Sequence, residues 1–329
     1  MFMEEKEMAT KMVVARGRSI GYYAEVMGPF LAIIIFALLM AFLAPRFFIP
    51  QNLINIFYSA SIFIIMAVGM TFVITGAGID LSIGSQLALS GVLMCFICKF
   101  TDLPPILAIP AGLFIGTVLG TINGLLIVKL RLPEFIATLA TMIGYRGIVL
   151  ILAGGFSMYR FPSEFIFLGR YRLFGVFPIS IILSIIVVII GYYMFRYTKF
   201  GRYTAAMGGN KEAAILAGID VDKYKILNFA LMGFLAALAS LITIGRLDAF
   251  HATYGTYMEI DTIAAVIIGG TALYGGVGKI WGSFAGAVLM AMVTNGVTIL
   301  RLPYFYQYVA VAVVIIISVT LYTLRAKRA

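Results

Sequence analysis

The chain has 329 residues, 62% of them hydrophobic and 12% charged, with a mean hydropathy of +1.06. Soluble domains carry roughly a quarter charged residues, so a water-soluble globule is excluded, and the apolar runs do not alternate as barrel strands do. The net charge of +10 is spread over loops without a continuous basic patch, which argues against nucleic acid and matches the Lys and Arg excess of cytoplasmic loops.

Residues 1–26 carry mixed charge and no short apolar core before a small-residue cleavage site. They read as a cytoplasmic N-terminal segment rather than a cleaved signal. From residue 27 to 329 the chain reads as one transmembrane domain of an all-α, polytopic membrane protein. Apolar runs long enough for a hydrocarbon core about 30 Å thick predict about ten spans. They fall near 27–44, 53–75, 81–99, 104–128, 135–153, 173–195, 224–245, 262–275, 281–300 and 303–324, with eight or nine still possible. With both termini inside, 16 basic residues fall on the cytoplasmic side and 7 outside, and Arg146 is left within a span; this is the positive-inside pattern.

The first interruption is "TFVITGAGIDLSIGSQLALSG", residues 71–91. A carboxylate at such depth is a functional candidate by default, but Asp80 before an apolar helical run is also a good helix cap. The two roles are compatible. Irregular backbone at membrane depth survives only where protein or a water-filled cavity shields it from lipid. Ser82, Ser85 and Gln86 lie beside Asp80 and, with Asn123 and Asn295, are candidates for a polar translocation path. Cys95 and Cys98 sit in an apolar run and read as buried thiols. A single histidine, His251, leaves a His-built metal site improbable. No catalytic residue, cofactor or metal is expected.

"NGLLIVKLRLPEF" at 123–135 and "NGVTILRLPYF" at 295–305 share an Asn-Gly opening and a Leu-Arg-Leu-Pro-x-Phe ending. "GTVLG" at 116–120 parallels "GSFAG" at 282–286. One Leu-Arg-Leu-Pro falls inside and the other outside, the mark of an inverted repeat of about four spans. Arg146 either snorkels outward or pairs within the bundle.

The longest inner loop, residues 196–225, holds "NKEAAILAG". It reads as a short helix with Asn210 as cap and Gly218 as stop, fitted for docking. The second glycine-rich break, "IIGGTALYGGVGKIWGSFAG" at 267–286, contains "GGVGK" but is no phosphate loop. Leu273 stands where the first glycine is required and Ile280 where Ser or Thr is required.

"GRYTAAMGGNKEAAILAGIDVDKYK", "GAGIDLSIGSQLALSG" and "EIDTIAAVIIGGTALYGGVGKIWGSFAGAV" resemble the membrane permeases of bacterial ABC importers, in the branch for ribose, xylose, arabinose, galactose and related sugars. The likeness runs from about residue 30 to the end. It implies a vitamin-B12-importer-like (type II) fold with two inverted repeats in the inner membrane. It also implies a second permease subunit, identical or paralogous, ATP-binding cassette ATPase subunits, and a periplasmic or lipid-anchored sugar-binding protein. Carried onto this chain, Gly209, Asn210, Ala213, Ala214, Gly218 and Ile219 form the ATPase-coupling loop. Residues 78–85 line or brace the path, and residues 246–261 meet the binding protein. In the family the break usually reads G-G-I-D; here Ala77 replaces the first glycine, which matters only if that position needs positive φ.

Function then reads as inward transport of a pentose or hexose, without an enzyme activity of its own. Autoinducer-2 or a nucleoside is the alternative cargo. An ion-coupled secondary transporter is a more remote reading, as is an intramembrane enzyme, for which the chain lacks a nucleophile–base or metal constellation.

Overall fold

The computed structural model describes residues 20–326, so most of the segment expected at 1–26 lies outside the described residues. The long helices are α1 (Ile20–Leu43), α2 (Pro50–Thr75), α3 (Ile83–Phe100), α4 (Ala108–Lys129), α5 (Glu134–Ala153), α7 (Ile179–Tyr197), α10 (Val221–Leu247), α12 (Ile280–Ile299) and α13 (Tyr306–Ala326). Shorter helices fill the connections: α6 (Ser163–Arg170), α8 (Lys199–Gly209), α9 (Lys211–Leu216) and α11 (Met258–Ile268). Among the described residues, seven helices are long and apolar enough to cross a membrane. The chain is a multi-pass membrane protein.

The predicted spans fall on these helices, with two departures. The run at 173–195 begins as helix only at Ile179, because β2 (Arg172–Leu173) and β3 (Phe177–Pro178) form a small hairpin first. The run at 262–275 is helical only within α11, whose eleven residues reach about 16 Å at 1.5 Å per residue, half a bilayer. The reading of all helix is also incomplete. β1 (Met158–Tyr159) pairs antiparallel with β4 (Ala249–Phe250) and joins two loops at one end of the bundle.

The centre of the bundle is α2, buried along most of its length, with α10, α12, α7 and α11 around it. Phe72 is fully buried there and packs against Phe195 of α7 and Phe200 of α8, ring centroids 5.4 and 5.2 Å away. By contrast α5 and α7 expose most of their apolar surface, as lipid-facing or partner-facing helices do. The α4–α10 contact is close and extensive. Gly116 and Gly120 bring α4 against the carbonyls of Gly233 and Phe229, where a Cβ has no room. Small residues four apart permit this approach, which gives dispersion contact where no hydrophobic force acts between helices in lipid.

The two Leu-Arg-Leu-Pro turns share one backbone feature. Arg131 and Arg301 are both left-handed, with φ of 55° and 56°, and each turn leads from a long helix into the next.

Candidate functional site

Three of the motifs singled out in the sequence meet at the C-terminus of α2. A helix leaves its last carbonyls without intrahelical partners, and a buried helix end must find others. Here each one is accounted for. The amides of Gly76, Ala77 and Gly78 turn back to Phe72, Ile74 and Val73, at 3.0, 2.9 and 2.9 Å. This is a Schellman ending, with Ala77 in the left-handed position at φ 54°. The Thr75 carbonyl accepts the Gly276 amide from the second break, at 2.8 Å. The Gly76 and Ala77 carbonyls accept from Lys225 Nζ of α10, at 2.7 and 3.4 Å. Lys225 also forms an ion pair with Glu134, the residue that follows the first Leu-Arg-Leu-Pro.

Residue 79 is gripped from α5. Its carbonyl accepts from Thr138 Oγ1 at 3.2 Å, and Glu134 Oε2 lies against Gly78, where a Cβ has no room. The chain then enters the Asp80 cluster. Asp80 is fully buried. Its Oδ1 accepts from the Ser82 amide and hydroxyl at 2.9 and 2.6 Å, and its Oδ2 from Gln86 Nε2 at 2.9 Å. Asn123 Nδ2 of α4 lies 3.5 Å from both oxygens and donates to Ser82 Oγ at 2.7 Å. Asp80 is therefore not the cap residue itself, which is Ser82. It closes a two-residue Asx turn that starts α3. Donors reach both oxygens. Gln86 Oε1 and Asn123 Oδ1 are buried and have no hydrogen-bond partner among the described residues.

Asp80, Ser82, Gln86 and Asn123 are thus brought together, and Ser85 is buried on the same helix turn. Asn295 is elsewhere. It exchanges two side-chain hydrogen bonds with Asn52, at 2.9 and 3.0 Å, and holds α12 to the start of α2.

The segment at 196–225 is more ordered than a loop. It contains α8 and then α9, whose first turn is capped by Asn210 Oδ1 accepting from Ala213 N at 2.9 Å. Gly218, at φ +79°, ends it, and Ile219 N returns to Ala214 O at 3.0 Å. Ala214 is buried with Met207 and Val221. Gly209 and Ala213 are exposed, and so are Ile215 and Leu216, at 54% and 89%. An aliphatic pair projecting from a polar end of the bundle is unusual for a connector. Beside it opens a cavity of about 420 Å³ lined by Arg131, Glu134, Gly208, Lys211, Asp222 and Lys225.

Toward the opposite end, residues 248–257 dip between the helices. Arg146 points inward, and its Nη1 donates to the carbonyls of Ala252 and Tyr254 at 2.7 and 2.8 Å. The arginine within a span satisfies irregular backbone that lipid cannot. Gly255 meets Gly84 of α3 so closely that neither position admits a side chain, so this loop reaches the start of the α3 helix. His251 Nδ1 is hydrogen-bonded to Ser157 Oγ.

In the sequence Lys225 counted as a cytoplasmic charge, and Glu134 only as the variable residue of the first Leu-Arg-Leu-Pro-x-Phe. One signal for Lys225 was present. A lysine near a helix N-terminus opposes the helix dipole, so it needs a partner elsewhere, and here that partner is the C-terminus of α2.

A family model described as "Branched-chain amino acid transport system / permease component" matches residues 52–319. The chain is 41% identical to the ribose import permease protein of Haemophilus influenzae, covering 88% of this chain and 90% of that protein. It is 34% identical to the D-allose transport system permease protein of Escherichia coli K12, over 91% and 92% of the two chains. Identity to the xylose transport system permease protein of Escherichia coli K12 is 31%, over 82% and 84%. No solved structure matches the chain. A match of this extent, on a bundle of apolar helices interrupted at two glycine-rich breaks, places the chain in the family of membrane permease components of transport systems.

Proposed function

We propose that the chain is the membrane-spanning subunit of a bacterial ABC importer that carries a monosaccharide inward. Its relatives at 31–41% identity are named for ribose, allose and xylose, which makes an aldose the first cargo to test. The structural observation that carries the ATP-driven part is α9. A capped and stopped helix of six residues presents Ile215 and Leu216 to solvent, where an ATPase subunit would seat it. ATP binding and hydrolysis on that partner move α9, tilt the spans and alternate access to a path shared with a second permease subunit. A sugar-binding protein delivers cargo to the opposite end. The permease performs no covalent step.

The topology belongs to the same proposal. Both termini lie in the cytoplasm of a chain with ten crossings, arranged as two inverted repeats of the type II importer kind. The left-handed Arg131 and Arg301 in matching turns support the repeat. The crossing at 248–279 is composite: a dipping loop, the half-length α11, and the second glycine-rich break. Asp80, Ser82, Gln86 and Asn123 brace the path by holding the start of α3, with Ser85 on the same turn, and Asn295 steadies α12.

Co-purification tests this reading. Under mild extraction from its own cells the chain carries an ATP-hydrolysing subunit with it, and Ala213→Arg with Gly218→Arg removes that subunit. Absence of any ATPase, with uptake that follows an ion gradient, overturns the reading in favour of a secondary transporter.

A further inference from the structure

The cluster around Lys225 assigns a role to a residue outside the coupling residues 209–219 and outside the Asp80 cluster. We propose that Lys225 is a positioning residue that carries movement of α9 into the 76–80 break. The proposal rests on the importer reading.

The connection is short and stiff. Only residues 217–220 separate α9 from α10. Across them Ile219 N is bonded to Ala214 O at 3.0 Å, Asp220 Oδ1 caps Lys223 N at 3.0 Å, and Ala214 and Val221 share one apolar cluster. A displacement of α9 therefore displaces the first turns of α10. Lys225 lies in the second of those turns, with its side chain 12% exposed.

Its ammonium holds three groups from two other elements: the Gly76 and Ala77 carbonyls of the break and the Glu134 carboxylate of α5. A cation at a helix C-terminus is favoured by the helix dipole, and a largely buried charged hydrogen bond is among the stronger contacts a side chain makes. Beyond Ala77 the chain passes Gly78, packed against Glu134, reaches Ile79, whose carbonyl is held by Thr138, and then Asp80. α8 also meets α2, by packing: Gly208 lies against the Thr75 carbonyl, with no room for a Cβ, and Phe200 stacks on Phe72. These contacts act on α2 itself. Lys225 bonds the carbonyls of Gly76 and Ala77 and so supplies the directed link to the break.

The test uses the complete transporter, with ATPase and binding protein, in proteoliposomes. Sugar uptake and ATP hydrolysis are measured together for wild type, Lys225→Met, Lys225→Arg and Glu134→Gln. With Lys225→Met, hydrolysis stays near wild type while sugar moved per ATP falls about tenfold, inside the ~5–150-fold range of site-to-site couplings. Lys225→Arg restores most of that ratio, because a cation again faces the carbonyls. As a second reading, amide hydrogen exchange of residues 76–82 changes on ATP addition in wild type and not in Lys225→Met. Uptake per ATP unchanged in Lys225→Met overturns the proposal alone. So does a loss in which hydrolysis and uptake fall in proportion, or an arginine variant as impaired as the methionine one. If Lys225→Met does not assemble, the Arg variant and Glu134→Gln decide through the same ratio and the same exchange: a ratio near wild type in Glu134→Gln with exchange at 76–82 unchanged from wild type contradicts the link. A wild-type complex with no ATP-driven uptake overturns the importer reading itself.

Discussion

The carbonyl of Thr75 accepts the amide of Gly276 at 2.8 Å, so the break in the first half of the chain is closed by the break in the second. Gly208, one residue before the end of α8, packs against the same carbonyl. A methyl group there would have to displace backbone, and overpacking of this kind costs about 1–3 kcal/mol. Gly208→Val is expected to insert into the membrane at normal abundance but to unfold at a lower temperature in detergent. Its uptake is expected to fall further than its abundance, as read by transport per molecule of membrane-inserted chain.

Ala77 occupies the left-handed position of the α2 ending, at φ 54°. An L-residue with a Cβ pays roughly 1–2 kcal/mol for that conformation, whereas glycine adopts it freely. The glycine usual at this site in the family is therefore explained by its backbone, and the departure in this chain carries strain. Ala77→Gly is expected to raise the unfolding temperature without loss of uptake. Ala77→Val is expected to lower it, and the pair measured side by side checks the sign.

Asp80 is held by donors alone. Asp80→Asn keeps the shape and can be accommodated by rotating the Gln86 amide, so a modest effect is expected. Asp80→Ala leaves the Ser82 amide and hydroxyl without their acceptor, while Gln86 and Asn123 keep only Ser82 Oγ. At ~1–3 kcal/mol for each buried unpaired group, several kcal/mol of stability should go. Thermal aggregation of the detergent-solubilised variants separates the two, and equal losses would show that the charge itself is what matters.

Arg146 supports two carbonyls of the 248–257 loop. Arg146→Met is expected to destabilise by about 2–4 kcal/mol, from two backbone acceptors left unpaired, and to raise hydrogen exchange of residues 251–257. Arg146→Lys, which offers a point charge in place of the planar fork, should recover only part of the loss. Unchanged exchange in the loop would contradict the assigned contact.

Much of this architecture was legible from the sequence because membrane insertion imposes long apolar runs. The short helix at 211–216 was legible for a local reason: Asn210 and Gly218 are capping chemistry written in adjacent residues. What was not legible depends on partners far away in the chain. The inward pairing of Arg146 lies with carbonyls more than a hundred residues on, and the Lys225–Glu134 pair joins α10 to α5. Asn295 belonged by type with Asn123 but pairs with Asn52, because the repeat-related position on α12 faces a different neighbour. The apolar run at 262–275 looked like a span, yet glycines at 269 and 270 end α11 in a Schellman turn that hydropathy does not register.

Uptake of radiolabelled ribose, allose and xylose by proteoliposomes that hold the chain with its ATPase and binding protein tests the central claim most directly, with ATP enclosed and a protonophore present. Accumulation of at least one of these sugars that requires ATP and survives the protonophore is the expected result. Uptake that ignores ATP and collapses with the ion gradient would contradict it.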